Sequence, residues 1–340
     1  MGILEKMRLD GKKAFVTGGA RGIGKCVATA LAEDAASMTK AVVLGSLNVD
    51  LVADVPRPPF EGESLLADSF TVVAGGKGAN QACTLSRLGA ESAVLGMIGK
   101  DGYGTMLKES LEKAGVDYSH LDEREDTPTG VAMISVYPNG NNSIVSVLGA
   151  NNRVDCDYID RNLDLLKECD VFVLQLEVPL EAAAYAAKKA KEFGKLVVLD
   201  PAPAPEILPE GLLDAVDLVK PNEVELSILT GIQEAEHHLA EAVGILKQMG
   251  ARDVLVTLGS KGSCVSMPDG SIRMIEAKKV KAVDTTAAGD AFTASVAIKL
   301  AEGKSLLEAA EFATGVSAIV VTRKGAQSSI PTQEELKGLL

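Results

Sequence analysis

From about residue 40 onward, short apolar runs alternate with longer segments in which apolar residues recur with helical spacing. Continuous runs of four or five residues rich in Val, Leu and Ala are typical of strands that are buried on both faces. We expect such strands at 41–44, 92–95, 171–174, 196–199 and 254–257. Candidate helices between them include 103–114, 180–193 and 239–249. This alternation predicts an α/β fold in which helices cover both faces of a mostly parallel sheet.

Two regions interrupt the alternation. Residues 51–73 contain several Pro, Gly and Glu residues between short strand-like pieces. Residues 129–147 contain two strand-like segments, 131–136 and 143–147, on either side of a Pro-Asn-Gly-Asn turn at 138–141. Because Asn-Gly between two strand-like segments is a strong turn signal, the second region predicts a β-hairpin.

Polar or glycine residues follow several of the expected strands. Asn48 and Asp50 come shortly after the first strand, and Glu177, Asp200 and Gly259 each follow a later one. Ligands of parallel α/β sheets bind at the carboxyl ends of the strands. The sequence therefore predicts a binding site at that edge of the sheet.

Composition limits the class of partner and the compartment. The chain has 340 residues and a formal net charge of −13, which argues against nucleic acid and anionic membranes as partners. No apolar run approaches the roughly 20 residues of a membrane span, and the N-terminus is too polar for a signal peptide. The five cysteines show no Cys-x-x-Cys pair and no metal-ligand spacing, so we expect a cytoplasmic protein. His237 and His238 lie in a Glu-rich stretch and are expected to be solvated.

The most informative stretch is Asp-Thr-Thr-Ala-Ala-Gly-Asp at 284–290. It places the small residues Ala287, Ala288 and Gly289 at the apparent start of a helix, with Asp290 one step inside. Backbone N–H groups at a helix start are unpaired and partially positive, so they suit an anion. Asp290 is then placed to take a proton from an attacking hydroxyl, as phosphoryl transfer to an alcohol requires. The alternative is an Asp-capped helix that follows a turn of small residues.

A second glycine-rich stretch, Gly-Gly-Lys-Gly-Ala-Asn at 75–80, lies between the strand-like 70–73 and the helical run 81–88. Adjacent glycines let the backbone approach a ligand closely, while Lys77 and Asn80 offer donors to hydroxyl groups. The stretch lacks the spacing of a P-loop, so we do not expect it to hold the nucleotide phosphates. The alternative is a glycine-rich turn with a solvated lysine.

Six segments, in this order and separation, resemble the signature segments of ribokinase-like carbohydrate kinases. They are 45–50, 75–80, 221–225, 257–262, 284–290 and 322–327. The resemblance extends from about residue 38 to the C-terminus. It implies a ribokinase-like three-layer α/β/α fold, with a small β-lid formed by 51–73 and 129–147 that in this family can also build a homodimer contact.

The resemblance also implies an activity. It is the ATP-dependent phosphorylation of D-ribose to D-ribose 5-phosphate, with another sugar, such as deoxyribose or a ketose, as the alternative substrate. Asp290 is the expected general base, and the N–H groups of Ala287, Ala288 and Gly289 are expected to stabilise charge on the transferring phosphoryl group.

The family positions further imply which residues contact the sugar. They are Asn48, Asp50, Gly76, Lys77, Asn80, Glu177 and Asp290. Buried polar groups of this kind discriminate strongly between sugars, because a missing hydroxyl leaves them unpaired. Each residue taken alone is more often part of an ordinary polar surface.

For the nucleotide, the resemblance implies seven contact residues. They are Asn222, Thr257, Gly259, Ser260, Gly262, Gly289 and Thr314. Glu225 is expected to organise Mg²⁺ and its waters instead of binding the ion alone, because magnesium retains much of its hydration. The alternative for Asn222 and Glu225 is a helix cap followed by an acidic first turn.

A potassium ion is the remaining cofactor that the resemblance implies. Asp284 would supply a carboxylate, and backbone oxygens near five further residues would complete the cage. They are Thr286, Val320, Arg323, Gly325 and Ser329. K⁺ bound there would order the anion-hole turn without touching the substrate.

Residues 1–37 do not fit this pattern. Within them, 9–24 predicts a strand, a glycine turn and a helix start, and resembles the opening of a short-chain dehydrogenase/reductase. Gly18, Gly22 and Gly24 match the turn that holds a dinucleotide phosphate in that family. A single βα unit cannot enclose a dinucleotide, so we interpret 1–37 as an appended fragment without oxidoreductase activity.

Two competing functions remain. A bifunctional or NAD(P)-dependent oxidoreductase would depend on the N-terminal glycine turn, because the Tyr-x-x-x-Lys spacing at Tyr185 and Lys189 arises easily in an Ala- and Lys-rich helix. A noncatalytic sugar-binding regulator is disfavoured because Asp290 and the adjacent small-residue turn are both present.

Overall fold

The computed structural model describes residues 38–138 and 142–337. The appended fragment expected at 1–37 and the tip of the hairpin at 139–141 lie outside the described residues. Consequently, the N-terminal glycine turn stays a prediction.

The described chain alternates strands and helices. The strands are β1 (Lys40–Leu44), β2 (Asn48–Asp54), β3 (Ser69–Gly75), β4 (Glu91–Leu95), β5 (Met97–Gly99), β6 (Asp122–Arg124), β7 (Gly130–Val136), β8 (Asn142–Val147), β9 (Val171–Leu174), β10 (Leu196–Leu199), β11 (Leu218–Val219), β12 (Asp253–Thr257), β13 (Ser263–Ser266) and β14 (Ile272–Ile275). The α-helices are α1 (Lys77–Arg87), α2 (Gly102–Ala114), α3 (Cys156–Arg161), α4 (Leu163–Glu168), α5 (Leu180–Glu192), α6 (Glu223–Thr230), α7 (Leu239–Gln248), α8 (Ala288–Ala301), α9 (Leu306–Val320) and α10 (Gln333–Lys337). Short 3₁₀ turns occur at Gly149–Arg153, Leu213–Ala215, Ala235–His237, Gly259–Lys261 and Gln327–Ser329.

The central sheet has the strand order β14-β13-β12-β11-β10-β9-β1-β4. The strands from β4 to β12 are parallel, while β13 and β14 extend the sheet in antiparallel fashion. The five strands expected from the apolar runs are all present in this sheet, within one residue of the expected bounds. The parallel α/β architecture predicted from the sequence is therefore confirmed.

Alternate residues of the central strands pack on opposite faces of the sheet. In β1, Val42 and Leu44 join a core that includes α3, α4, α5, α6 and α7, whereas Ala41 and Val43 join a core that includes α1, α2, α8 and α9. Residues on both faces of β1 are buried, as the continuous apolar runs predicted. The result is the expected three-layer α/β/α arrangement.

A second sheet has the order β3-β2-β7-β8, and we call these four strands the lid sheet. Strand β2 pairs antiparallel with β3 and parallel with β7, and β7 pairs antiparallel with β8. The hairpin predicted for 129–147 is present as β7 and β8, and the 51–73 region contributes to β2 and β3. None of the helices that the structure describes is long and apolar enough to cross a membrane.

One boundary differs from the sequence-based expectation. The glycine-rich stretch at 75–80 is not a separate turn before the helix, because α1 already begins at Lys77. Gly76 has a φ of 90°, which turns the chain out of β3 so that the next residue is helical. As a consequence, Lys77 and Asn80 lie on the first turn of a helix.

Candidate active site

The loop after β1 and the first turn of α1 pack backbone against backbone. A Cβ built on Gly76 would lie 2.5 Å from the backbone nitrogen of Asn48, and one on Gly78 would lie 2.6 Å from the carbonyl carbon of Gly45. The Lys77 N–H donates to Ser46 Oγ at 3.0 Å. Glycines are therefore required at 76 and 78 for this close approach, which brings two of the signature segments together.

A cluster of buried polar side chains lies where these segments meet. Asn48 and Asp50 are 3% and 7% exposed, and the half-buried Glu177 approaches from the end of β9. Ser46 Oγ donates to Glu177 Oε2, and Asn48 Nδ2 lies 3.5 Å from the same oxygen. Three residues predicted to contact the sugar are thus brought into one cluster, and their amide and carboxylate groups suit vicinal hydroxyls.

Asn151 organises this cluster, although it was not among the predicted residues. Its Oδ1 accepts from the Leu47 N–H at 2.9 Å, and its Nδ2 donates to Asn48 Oδ1 at 2.8 Å. The same Nδ2 lies 2.9 Å from the carbonyl oxygen of Leu148. Asn151 is fully buried, so it fixes which way the Asn48 amide points. The only signal in the sequence was a pair of asparagines directly after the predicted hairpin.

Asp290 lies in the first turn of α8 and is 8% exposed. Asn80 Nδ2 donates to Asp290 Oδ2 at 2.8 Å, so the second glycine-rich segment orients the predicted base. Burial raises the pKa of Asp290, and the repulsion of Asp200 adds to the rise, while Lys77 opposes it. Asn80 Oδ1 is buried without a partner within the described residues, which leaves an acceptor for a substrate hydroxyl.

Lys77 supplies positive charge among these carboxylates. Burial lowers its pKa, but the attraction of Asp290 and Glu177 outweighs burial and raises the pKa overall. Lys77 is therefore protonated at neutral pH. It balances part of the negative charge of this polar cluster.

Asp50 is the titrating group of the pocket. Burial raises the pKa of Asp50 to about 7, and the negative charges of Glu177 and Asp290 contribute to the rise. A Cβ built on Gly75 would overlap the Asp50 carboxylate, so the glycine makes room for it. Asp50 can therefore exist in both protonation states near neutral pH.

The turn at 285–289, which is the expected anion-hole turn, leads into α8 as predicted. The difference is that one of its three N–H groups, that of Ala288, already has a partner. Ala287 caps α8 with a φ of 61°, a left-handed conformation that turns the chain sharply into the helix. The Ala288 N–H donates to the Thr285 carbonyl at 3.2 Å. The N–H groups of Ala287 and Gly289 have no such partner within the described chain, so these two are available to an anion.

A cavity of about 560 Å³ extends from this turn towards α9. All seven residues predicted to contact the nucleotide line it: Asn222, Thr257, Gly259, Ser260, Gly262, Gly289 and Thr314. Its walls are mainly apolar and include Phe292, Val280 and Val321. An apolar cavity that ends at a helix N-terminus suits a flat base at one end and phosphates at the other.

Asn222 and Glu225 form the helix cap that was the alternative interpretation. Asn222 Oδ1 accepts from the Glu225 N–H at 2.8 Å, and Glu225 Oε2 accepts from the Asn222 N–H at 2.8 Å. Burial raises the pKa of Glu225, and the nearby charge of Asp200 adds to the rise. A hydrated Mg²⁺ fits beside these carboxylates, because it would relieve their repulsion through water-mediated contacts.

Asp284 ties two loops together at the predicted potassium site. Its Oδ1 accepts from the Thr286 N–H at 2.9 Å, and its Oδ2 accepts from the Gly325 N–H at 2.9 Å. Burial raises the pKa of Asp284, but these hydrogen bonds outweigh it and lower the pKa, so the group is ionised at neutral pH. A fixed carboxylate of this kind fits a cation.

The other predicted potassium ligands differ in their surroundings. The Val320 carbonyl accepts from the Arg323 N–H at 3.1 Å, and the Arg323 guanidinium pairs with Glu335. Ser329 is fully buried and donates to the Ala326 carbonyl. Three of the predicted positions, 284, 286 and 325, are thus directly connected.

Two other expectations concern metals and dehydrogenase chemistry. No group of three or more His, Cys, Asp or Glu residues is arranged to hold a metal ion within the described chain, and His237 and His238 are exposed. Tyr185 Oη donates to Asp160 and Lys189 Nζ donates to Glu192, so both are engaged on α5 in contacts outside the cavity.

A buried ion pair between Lys220 and Asp200 was also missed by the sequence analysis. Lys220 Nζ donates to Asp200 Oδ2 at 3.0 Å, and both side chains are nearly inaccessible, at 4% and 3% exposed. Asp200 was noted as a strand end, but Lys220 follows a strand of two residues that no apolar run indicated.

Comparison with known proteins places this geometry in a family. Residues 38–333 match the sequence profile of pfkB family carbohydrate kinases. The ribokinase of Haemophilus influenzae is 42% identical over 294 residues, covering 86% of this chain and 95% of the relative. The deoxyribokinase of Salmonella typhimurium is 37% identical over 299 residues, covering 88% and 97%.

A solved structure supports the same placement. Arabidopsis thaliana ribokinase, complexed with ribose and ATP, is 34% identical and superposes with a TM-score of 0.82. The match covers 89% of this chain and 99% of that one. The ribokinase-like fold that the resemblance implied is therefore confirmed.

Proposed function

The chain belongs to the pfkB family of carbohydrate kinases, and on that premise we propose that it transfers the γ-phosphoryl group of ATP to D-ribose. The products are D-ribose 5-phosphate and ADP. Relatives named ribokinase, and a neighbouring structure that contains ribose and ATP, support this choice of substrates.

The observation that carries the proposal is the position of Asp290. Its buried carboxylate accepts a hydrogen bond from Asn80 on the side of the polar pocket, and it sits one residue after Gly289, which lines the nucleotide cavity. A general base at such a junction can accept the proton of the primary hydroxyl as the oxygen attacks the γ-phosphorus. The N–H groups of Ala287 and Gly289 then stabilise the charge of the phosphoryl oxygens.

The cations have separate roles in this proposal. Mg²⁺, held through water by Glu225, would neutralise the phosphate oxygens. K⁺ beside Asp284 would steady the loop that carries the anion-hole turn. Because Asp284 joins that loop to Gly325, exchange of K⁺ for Na⁺ should lower kcat, and Asp284→Asn should abolish the difference between the two salts.

The lid sheet supports a homodimer as part of the proposal. Its outer strand β8 is exposed along its length, and several large apolar side chains are exposed on the sheet. They are Phe70, Met133, Ile144, Val145 and Val147. Burying these side chains against a second copy of the chain would remove them from water.

A second candidate substrate is 2-deoxy-D-ribose, because two relatives of similar identity are named deoxyribokinase. The two sugars differ by one hydroxyl, and buried polar groups such as Asn48 and Asp50 penalise its absence. We therefore expect ribose to be preferred. The N-terminal glycine turn at 18–24 remains the basis for an oxidoreductase alternative, which NAD(P)H binding to the full chain would support.

The test is release of ADP with ATP and Mg²⁺, using ribose, 2-deoxyribose, fructose and xylose, with K⁺ or Na⁺ present. Phosphorus NMR of the product should identify a 5-phosphate. Turnover that favours deoxyribose or a ketose would overturn the substrate and keep the mechanism. Absence of turnover on every sugar would overturn the activity.

A further inference from the structure

Lys220 lies at the carboxyl end of β11, two residues before Asn222, which lines the nucleotide cavity. Its ammonium is nearly inaccessible and is paired with Asp200 Oδ2 at 3.0 Å. Placing two charges out of water is costly, and such a pair stabilises a fold no better than apolar side chains of the same size. The pair therefore calls for an explanation other than stability.

The Lys220 ammonium faces the anion-hole turn. A Cβ built on Gly289 would lie 4.0 Å from Lys220 Nζ, and no other atom outside its chain neighbours and its own helix would come within that distance. The first turn of α8 is also partially positive, so an anion placed between this turn and the Lys220 ammonium would be attracted by both.

Asp200 fixes the position of Lys220 relative to the two helices of the site, α1 and α8. Asp200 Oδ2 also accepts from Thr293 Oγ1 at 2.8 Å and from Gln81 Nε2 at 3.2 Å. Thr293 lies one turn after Gly289 on α8, and its hydroxyl also lies 3.0 Å from the Gly289 carbonyl. Gln81 follows Asn80, the partner of Asp290, on α1. A single carboxylate oxygen thus connects the ammonium to both elements that orient the base.

We propose that Lys220 is a further catalytic residue, whose ammonium binds the γ-phosphoryl group as it is transferred, and that Asp200 is its positioning residue. This inference rests on the proposed kinase function. The sugar oxygen forms a bond to the γ-phosphorus, the bond from that phosphorus to the β,γ-bridging oxygen breaks, and Asp290 takes the hydroxyl proton. Lys220 takes no part in the proton transfer and supplies only positive charge. ADP leaves as the other product.

The test compares Lys220→Met with the double variant Lys220→Met/Asp200→Asn. The single variant leaves Asp200 buried without its countercharge, so it should lower the Tm by several degrees and kcat on the order of 10²–10³-fold. In the double variant, the Asp200→Asn change removes this buried charge and keeps an amide oxygen that can accept from Gln81 and Thr293. The double variant should therefore recover most of the Tm while kcat stays low.

Lys191→Met is the matched control. Lys191 pairs at 2.6 Å with Asp217, which precedes the opposite end of the same strand β11. Its loss should lower the Tm slightly and leave kcat within about twofold, because the pair is partly exposed and remote from the cavity. Recovery of kcat in the Lys220→Met/Asp200→Asn variant would show a purely structural role for Lys220 and overturn the proposal.

A binding measurement separates this proposal from the kinase function itself. Lys220→Met should weaken binding of the β,γ-methylene analogue of ATP roughly tenfold, while ADP binding changes little, because the ammonium contacts only the terminal phosphate. This result is expected even if no tested sugar is phosphorylated by the wild-type chain. Equal weakening of the analogue and ADP, or no weakening of either, would overturn the assignment.

Discussion

The polar cluster that we propose as the sugar pocket and the cavity that we propose for the nucleotide are built by different means. In the proposed sugar pocket, the buried Asn48 and Asn151 and the half-buried Glu177 contact one another across distant parts of the chain. The nucleotide cavity is formed mainly by apolar walls and by turns, and Gly259 and Ser260 on its rim are exposed. Selectivity for the sugar should therefore depend on individual side chains, whereas nucleotide binding should depend on backbone shape.

The largest effect on catalysis is expected at Asp290, where the sugar pocket and the nucleotide cavity, the two halves of the site, meet. Asp290→Asn removes the base and keeps a group that can remain near Asn80, so kcat should fall on the order of 10²–10⁴-fold. Sugar and ATP should still bind, as measured by calorimetry. Asp164→Asn, an exposed carboxylate paired with Lys167 on α4, is the control and should leave kcat unchanged. A small loss of kcat in the Asp290 variant would contradict the assignment of the base.

The next largest effect should be confined to the sugar pocket. Asn48→Ala removes a donor near Glu177 and one of the acceptors of the Asn151 amide, and it leaves the sugar hydroxyl that Asn48 is proposed to contact unpaired. An unpaired buried polar group costs about 1–3 kcal/mol, so KM for the sugar should rise roughly 5- to 150-fold. KM for ATP should stay the same in steady-state kinetics. A parallel rise in KM for ATP would break the comparison between the two halves.

The pH dependence of sugar use is the third prediction. The Asp50 carboxylate accepts hydrogen bonds from hydroxyls through both oxygens only when ionised, and its pKa is about 7. Below that value, kcat/KM for the sugar should lose up to about tenfold per pH unit through this group. Asp50→Asn should have a lower kcat/KM and a shallower pH profile. A profile of the same slope in the variant would assign the titration to another group.

The same shift has a consequence for stability. The folded-state pKa of Asp50 lies above its ordinary value of 3.8, so between about pH 4 and pH 7 the folded state binds more protons than the unfolded state. Stability from this group is therefore present at low pH and is lost as pH rises through that window, by an amount on the order of a few kcal/mol. Asp50→Asn should unfold at a higher denaturant concentration than wild type at pH 8.

The smallest effect is expected on the nucleotide side. Thr314 lines the cavity, but its hydroxyl already donates to the Ala310 carbonyl of its own helix at 2.8 Å. Thr314→Val keeps the shape of the wall, so KM for ATP should change by no more than about threefold. A larger rise, measured with saturating sugar, would mean that the nucleotide half also depends on side-chain hydrogen bonds.

The backbone of this fold was largely predictable because its signals are local. A continuous apolar run such as 171–174 indicates a buried strand without reference to any other residue, and β9 has those bounds. The helix start at Ala288 was likewise indicated by neighbouring small residues. By contrast, β11 has two residues, so no run marked it, and Lys220 at its end was missed.

The side-chain contacts within the site were less predictable, because the residues that contact one another are far apart in sequence. Asn151 and Leu47 are separated by 104 positions, and Gln175 and Gln81 by 94. Nothing local to either residue indicates such a contact. Residues proposed to touch the substrate were indicated by the family resemblance, whereas those that hold them in place became visible only in three dimensions.

The junctions of the lid sheet have a consequence for the timing of the reaction. Strand β2 starts at Asn48 and β3 ends at Gly75, while Gly130 at the start of β7 and Leu148 after β8 contact the Asn48–Asn151 pair. The ends of these strands therefore adjoin the residues that we propose contact the sugar. Arrival of the sugar and closure of the sheet should be a single event, which would protect bound ATP from futile hydrolysis until an acceptor is in place.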